Sequence, residues 1–273
     1  MSATAYKQYP SCSSVYGPVE SWRFGRSLGI DPIGSRSTCS FHCIYCQLGK
    51  IESRTTERQI FVPTSQIVDE LEAMETLDNV DTVTLSGSGE PTLALNLEKI
   101  IGVVKRITKK PTVVLTNSTL LCDPRVRRDL IAADTVAAKL DAISSNQLQQ
   151  VNRCVETINL PSLVAGIEQF RQEYSGNLAI QTMVLSPWTP ERIMDYIQIL
   201  HILQPDEVQL NIPSRPRVLV RQLDARGNDI LQPAPYLVQN LRCVSTSVLA
   251  SLANQIHNAV KIPVRYPGMA VLV

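Results

Sequence analysis

Six short strand-like runs, near residues 27–33, 80–85, 112–115, 135–140, 178–185 and 207–212, are separated by segments whose apolar residues recur at helical spacing. Strands divided by helices lie parallel, because each helix carries the chain back to the edge where the last strand began, and that return is right-handed. Pro63-Thr64 opens the first helical segment, with Ile67, Leu71, Met74 and Leu77 at spacings of four, three and three and with Asp69 and Glu70 in its early turns. Further helices are predicted over 96–107, from Asp123 as cap with Pro124 in the first turn, over 145–151 and 162–174, and from Thr189-Pro190-Glu191 with Ile193, Ile197 and Leu200 inward. Six such units make either an open doubly wound sheet or a partial barrel, and periodicity does not choose between them. After Ser214 the alternation stops. Residues 215–235 carry Pro216, Pro233 and Pro235 and read as an irregular crossing, followed by a helix over 245–260 and a short strand over 262–265. The expected organisation is a barrel domain over 1–213, with its first 14 residues flexible, and a C-terminal extension over 214–273 packed on it.

A chain of 273 residues suits one such large α/β unit, and 44% hydrophobic with 19% charged residues suits a packed core. The 26 basic and 25 acidic side chains nearly cancel, which gives no support to a strongly electrostatic nucleic-acid binder. No run of about 18 apolar residues is present, and the first residues lack the apolar core of a signal peptide, so a cytoplasmic protein is expected, with no membrane partner. Seven cysteines, an odd number without a secretion signal, point to reduced thiols and metal ligation.

Three of those cysteines fall within eight residues, Cys39-Ser40-Phe41-His42-Cys43-Ile44-Tyr45-Cys46, while Cys12, Cys122, Cys154 and Cys243 stand alone. Three thiolates at C-x3-C-x2-C spacing can hold three irons of a four-iron cluster and leave the fourth iron open. A structural zinc site would need a fourth ligand, His42 or a remote cysteine, and no second C-x2-C or H-x3-5-H follows. On spacing alone the iron–sulfur site fits better and zinc stays open.

The segment CSFHCIYC resembles the C-x3-C-x-aromatic-C signature of the radical S-adenosylmethionine (SAM) enzymes. The resemblance implies a six-strand parallel partial (β/α)6 TIM-like barrel of the α/β class, with an irregular C-terminal extension and a [4Fe–4S] cluster at its top. It implies that Cys39, Cys43 and Cys46 ligate the cluster, that SAM chelates the open iron, and that Tyr45 lies against the adenine. In that family an electron from the cluster cleaves SAM to a 5′-deoxyadenosyl radical, which takes hydrogen from a substrate. Upstream, GPVESWRFGRSLGID is similar to the lead-in of a wyosine-synthase-like group of these enzymes, with Arg23 and Arg26 as solvated side chains in the plainer reading. A small molecule, a peptide or a tRNA base is the expected substrate class. No flavodoxin-like domain is present, so an external electron donor of flavodoxin or ferredoxin type is expected. Outside the family reading, the same cysteines fit a non-catalytic metal-binding or redox-sensing module.

Ligands of parallel sheets gather at the carboxyl ends of strands. The second strand ends in Ser86-Gly87-Ser88-Gly89-Glu90-Pro91-Thr92, similar to the family's G-G-E motif for the methionyl amino group, with Gly87, Gly89 and Glu90 as the matching residues. The third ends in Thr116-Asn117-Ser118-Thr119, similar to T-N-G-T, where Asn117 is a ribose or substrate contact or caps its own turn, and Ser118 calls for a turn that tolerates a side chain. The fourth, Ala137-Ala138-Lys139-Leu140-Asp141-Ala142, is similar to S-L-D-A, with Lys139 where the family has serine. Lys139 and Asp141 share a face, so they pair with each other, or Lys139 binds the SAM carboxylate or an anionic substrate. The fifth and sixth strands offer Gln181, Met183, Gln209 and Asn211, with Asn211 assigned to the cofactor set. Arg215, Arg217, Arg221 and Arg226 are either solvated or a clamp for a carboxylate or phosphate.

Overall fold

The computed structural model describes residues 13–226 and 236–269. Eight strands form one sheet whose spatial order follows the chain. β1 (Val15–Ser21) and β2 (Gly25–Ile30) make an antiparallel hairpin. From β2 onward every neighbour is parallel: β3 (Thr82–Leu85), β4 (Thr112–Thr116), β5 (Thr135–Lys139), β6 (Asn177–Met183), β7 (Glu207–Asn211) and β8 (Val264–Arg265). A parallel sheet laid down in sequence order curls on itself, and the result is a partial barrel rather than a doubly wound sheet, whose strand order would reverse midway.

The helices are α1 (Thr64–Glu72), α2 (Leu97–Thr108), α3 (Pro124–Leu130), α4 (Leu160–Glu173), α5 (Pro190–Leu203) and α6 (Thr246–Val260), and the last four start where a side chain takes up a free backbone N–H group. The Asp123 carboxylate accepts from Arg125 N, Thr189 from Arg192 N and Ser245 from Val248 N, each such cap contributing about 1 kcal/mol. α2 shows why the periodicity was readable: Leu97, Ile100, Ile101 and Val104 are all buried on one stripe. The strands beneath are buried on both faces, as Val136-Ala137-Ala138 in β5 illustrates.

All six strand-like runs form strands, and two more flank them. β1 escaped the sequence reading because Gly17 and Pro18 read as breaks. At the sheet edge proline forfeits no ladder bond, and an irregularity in the pairing between Tyr16 and Val19 absorbs it. β8, the short strand of the C-terminal segment, pairs with Val208 and Gln209 and so extends the same sheet, while α6 packs on α5. Residues 145–151, expected as helix, become one short turn, Ser145–Gln147, followed by a π-helical turn, Leu148–Asn152. In the irregular crossing Arg217–Val218 pairs with Val238–Gln239. Pro233, Pro235, Cys12 and the flexible start expected before residue 13 lie outside the described residues. Among the described residues no helix is long and apolar enough to cross a membrane.

Candidate functional site

The cysteine loop is held by hydrogen bonds, most of them between backbone groups, to the segments that follow three successive strands. Thr38 N donates to Ser88 O (3.1 Å) and Glu90 N to Thr38 O (3.0 Å) after β3. After β4, the Ser40 and Thr119 hydroxyls lie 2.7 Å apart. Beyond β5, His42 N and Ile44 N donate to Asn152 O and Val151 O (2.8 and 2.9 Å), and Val155 N to Ser40 O (3.1 Å). The π-helical turn supplies both of those carbonyls, in keeping with the frequency of such turns at functional sites. His42, the candidate fourth zinc ligand, has its Nδ1 taken by Ile51 N at 3.3 Å.

Each sulfur meets an N–H. Phe41 N and Asn117 Nδ2 each donate to Cys39 Sγ at 3.4 Å, Asn152 Nδ2 donates to Cys43 Sγ at 3.3 Å, and Leu48 N lies against Cys46. Donors of this kind stabilise thiolate charge and tune a cluster held by it. Without metal, burial dominates: it pushes the Cys43 thiol up to about 12 and raises Cys39 and Cys46, with Glu90 adding to the rise at Cys39 and Lys139, Arg217 and Arg221 opposing it at Cys46. A bound metal therefore has to displace thiol protons. Among the described residues no three His, Cys, Asp or Glu side chains converge closely enough to hold one metal ion. Thiolates that each hold a different iron need not meet that single-ion requirement, and the donor set fits a cluster.

Asp141 organises the wall behind the loop. Its side chain is fully buried; Oδ2 accepts from the Tyr45 hydroxyl and from Asn152 Nδ2 (2.7 Å), and Oδ1 from Met183 N (2.8 Å). Those three donors occupy the carboxylate, so Lys139 stays 4.0 Å away and 5.3 Å from the centre of the Tyr45 ring. The direct Lys139–Asp141 pair, one of the two readings of the strand pattern, is thus a loose one, and the ammonium lies beside the Tyr45 ring. Asp141→Asn places an amide NH2 against the donors on Oδ2 and is expected to cost about 2 kcal/mol, because a buried polar contact is left unmade. The check is the shift of the urea midpoint against the parent chain.

Glu90 is 2% exposed. Oε1 accepts from Thr92 N (3.1 Å), Thr92 Oγ1 (2.7 Å) and Thr116 Oγ1 (2.6 Å), and Oε2 from Asn117 N (2.6 Å). Burial raises its pKa and these four bonds oppose the rise. It joins the ends of β3 and β4. Asn117 caps its own turn through Oδ1, which accepts from Thr119 N (3.1 Å), while its Nδ2 reaches Ser40 (2.9 Å) and Cys39. The turn-capping reading of that residue is the one seen here, and its Nδ2 is turned to the cysteine loop. Ser118 sits at φ +71°, the left-handed region where the family motif has glycine, and its hydroxyl donates to Lys139 O (3.1 Å). The turn does not avoid glycine geometry; it imposes it on serine.

A cavity of about 320 Å³ opens beside the loop, within the range of small-molecule sites. Tyr45 and Cys46 line it together with Gly87, Gly89, Gln181, Met183 and Asn211. Of the residues singled out from the sequence, Glu90, Asn117, Lys139, Asp141, Cys39 and Cys43 are not part of its lining. Asn152 and Asp31 had gone without a role. Asp31, fully buried, accepts from Ile33 N, Gly34 N, Ser88 N and Arg226 Nη1 and so ties the loop after β2 to the loop after β3. Its place in the lead-in motif was the only signal; Asn152 had none.

This fold and this loop define a radical SAM enzyme, and the comparisons agree. The model of the radical SAM superfamily matches residues 36–200, well over half of the chain, and the chain belongs to that superfamily, whose members bind a [4Fe–4S] cluster and SAM. A UPF0026 protein of Synechocystis sp. is 50% identical over 260 residues, covering 95% of this chain and 98% of that one. A UPF0026 protein of Methanocaldococcus jannaschii is 34% identical over 207 residues, covering 74% and 64%. A radical SAM methyltransferase of Sphaerobacter thermophilus shares the fold at a TM-score of 0.58 and 16% identity, over 89% of this chain and 67% of that one. The wyosine-synthase-like assignment rests on the lead-in motif alone.

Proposed function

We propose that the chain cleaves SAM reductively and uses the resulting radical on a substrate held in the 320 Å³ cavity. Cys39, Cys43 and Cys46 would hold the cluster through three irons, leaving the fourth to the amino and carboxylate groups of SAM. When bound, the cluster supplies one electron to the sulfonium, which parts into methionine and a 5′-deoxyadenosyl radical that takes a hydrogen atom from the substrate. Tyr45, kept neutral by burial and by Asp141, presents its ring to the cavity as a stacking surface for the adenine. Gly87 and Gly89 let backbone approach the methionyl end, Lys139 offers its ammonium to a carboxylate, and Asn211 and Gln181 offer amides to the ribose or the substrate. The protein's work is binding, orientation and exclusion of water. Electrons come from a flavodoxin- or ferredoxin-type donor, and the setting is the cytoplasm.

The observation that carries this reading is the convergence of Cys46, Tyr45, Gly87, Gly89 and Asn211, from two separate strand ends and the cysteine loop, on one cavity. The test is anaerobic reconstitution. About four irons and four sulfides per chain, and 5′-deoxyadenosine released from SAM on addition of dithionite, are expected. Zinc in the purified chain with no SAM cleavage would overturn it.

A further inference from the structure

Arg23 and Arg215 share the cavity with Cys46 and Tyr45, and neither forms an ion pair among the described residues. Arg23 Nε and Nη1 are buried and have no hydrogen-bond acceptor. The Arg23 guanidinium lies over ring faces, 5.1 Å from the centre of Phe24 and 5.8 Å from that of Trp22. Arg215 reaches a single neutral acceptor, Gln47 Oε1, at 2.9 Å. Burial first, and then the nearby charges of Arg215 and Arg265, push Arg23 down to about 10; burial also lowers Arg215. The other charges nearby are accounted for: Arg226 is bound to Asp31, Arg265 to Glu207 at 3.4 Å, and Glu20, which also lines the cavity, is exposed. Glu207, shared with Arg265, offsets part of this at Arg23. Two desolvated cations side by side with no ion-pair partner of their own among the described residues are still an unfavourable arrangement, one that an anion relieves.

The two arginines also line a recess of about 70 Å³, with Tyr16, Ser27, Thr84 and Ser86 supplying hydroxyls. That volume is well below the roughly 150 Å³ of a cavity that takes benzene, so the recess admits one small polar group and no ring. We propose that Arg23 and Arg215 form a seat for the oxyanion of the substrate, a carboxylate or a phosphate, and so anchor it in the cavity that contains Cys46. This rests on the functional reading above and narrows it to anionic substrates. Guanidinium forks suit both oxyanions through paired N–H donors.

The test uses the full, cluster-loaded chain under anaerobic conditions, without reductant, in equilibrium dialysis against labelled inorganic phosphate at constant ionic strength. One saturable site per chain is expected, weakened at least tenfold in Arg23→Gln and in Arg215→Gln and unchanged in Arg26→Gln, whose exposed guanidinium is already held by Asp81. The two seat variants should unfold at the same temperature as the parent or higher, since each relieves a like-charge contact, and this separates a lost seat from a lost fold. Acetate that displaces the phosphate assigns the seat to carboxylates; phosphate that resists acetate assigns it to phosphoryl groups. Absence of saturable binding, binding as tight as the parent's in either seat variant, or displacement of phosphate by SAM overturns the proposal, the last because the arginines would then serve the cofactor. Because no SAM turnover is involved, a chain that binds phosphate but does not cleave SAM contradicts only the proposed function. The converse result contradicts only the seat.

Discussion

Cys43→Ala is expected to give a folded chain with iron and sulfide at background and no 5′-deoxyadenosine from SAM. Two thiolates cannot hold a cluster whose third iron has lost its anchor, and the neighbour of Cys43, Asn152, offers only a donor in its place. Cys43 is 9% exposed, so loss of its sulfur leaves a small void, at a cost of about 1 kcal/mol, which far-UV circular dichroism and a denaturation curve would show as a folded chain of slightly lower midpoint. Cys122→Ala serves as the comparison. That thiol is exposed and its Sγ lies 2.9 Å from Ser162 O, so iron content should match the parent. Retention of a full cluster by Cys43→Ala would remove the basis for the ligand assignment.

Gly89→Ala is the second substitution with a large expected effect. A Cβ on Gly89 would lie 1.7 Å from Thr38 O and 2.7 Å from Thr38 C, backbone atoms that cannot swing aside as a side-chain tip can. Thr38 pairs with Gly89 in an isolated parallel bridge and immediately precedes Cys39. Accommodating the methyl therefore pushes the first thiol of the loop out of place. Destabilisation of about 3 kcal/mol or more is expected, at the upper end for overpacking, together with loss of most of the iron. Urea denaturation and an iron assay on the same preparations check both. Gly102→Ala, at a helical glycine with nothing within 4 Å, should instead stabilise by about 0.5–1 kcal/mol.

The glycine at 89 also shows how motif and mechanism differ. The resemblance attached it to SAM; the structure shows that its missing side chain first of all lets the cysteine loop lie against the strand end. Glu90, the neighbouring motif residue, has its carboxylate turned to Thr92, Thr116 and Asn117, where it welds two strand ends together. A residue matched by pattern can thus act on the site through the frame that shapes it.

The alternation of strands and helices and the C-x3-C-x2-C run could be read directly, because both are local: backbone periods repeat every two or 3.6 residues, and three ligands within eight residues need no fold to bring them near one another. The choice of a curled over a doubly wound sheet came from strand order, which periodicity does not encode. Asn152 at the sulfur of Cys43, Asp31 between two loops, and the cations of Arg23 and Arg215, without an ion-pair partner among the described residues, at one cavity join residues up to almost two hundred positions apart. Such meetings depend on where each strand ends and how each loop turns back, and on burial that strips water from a charge. Those are properties of the packed chain and of no short stretch within it.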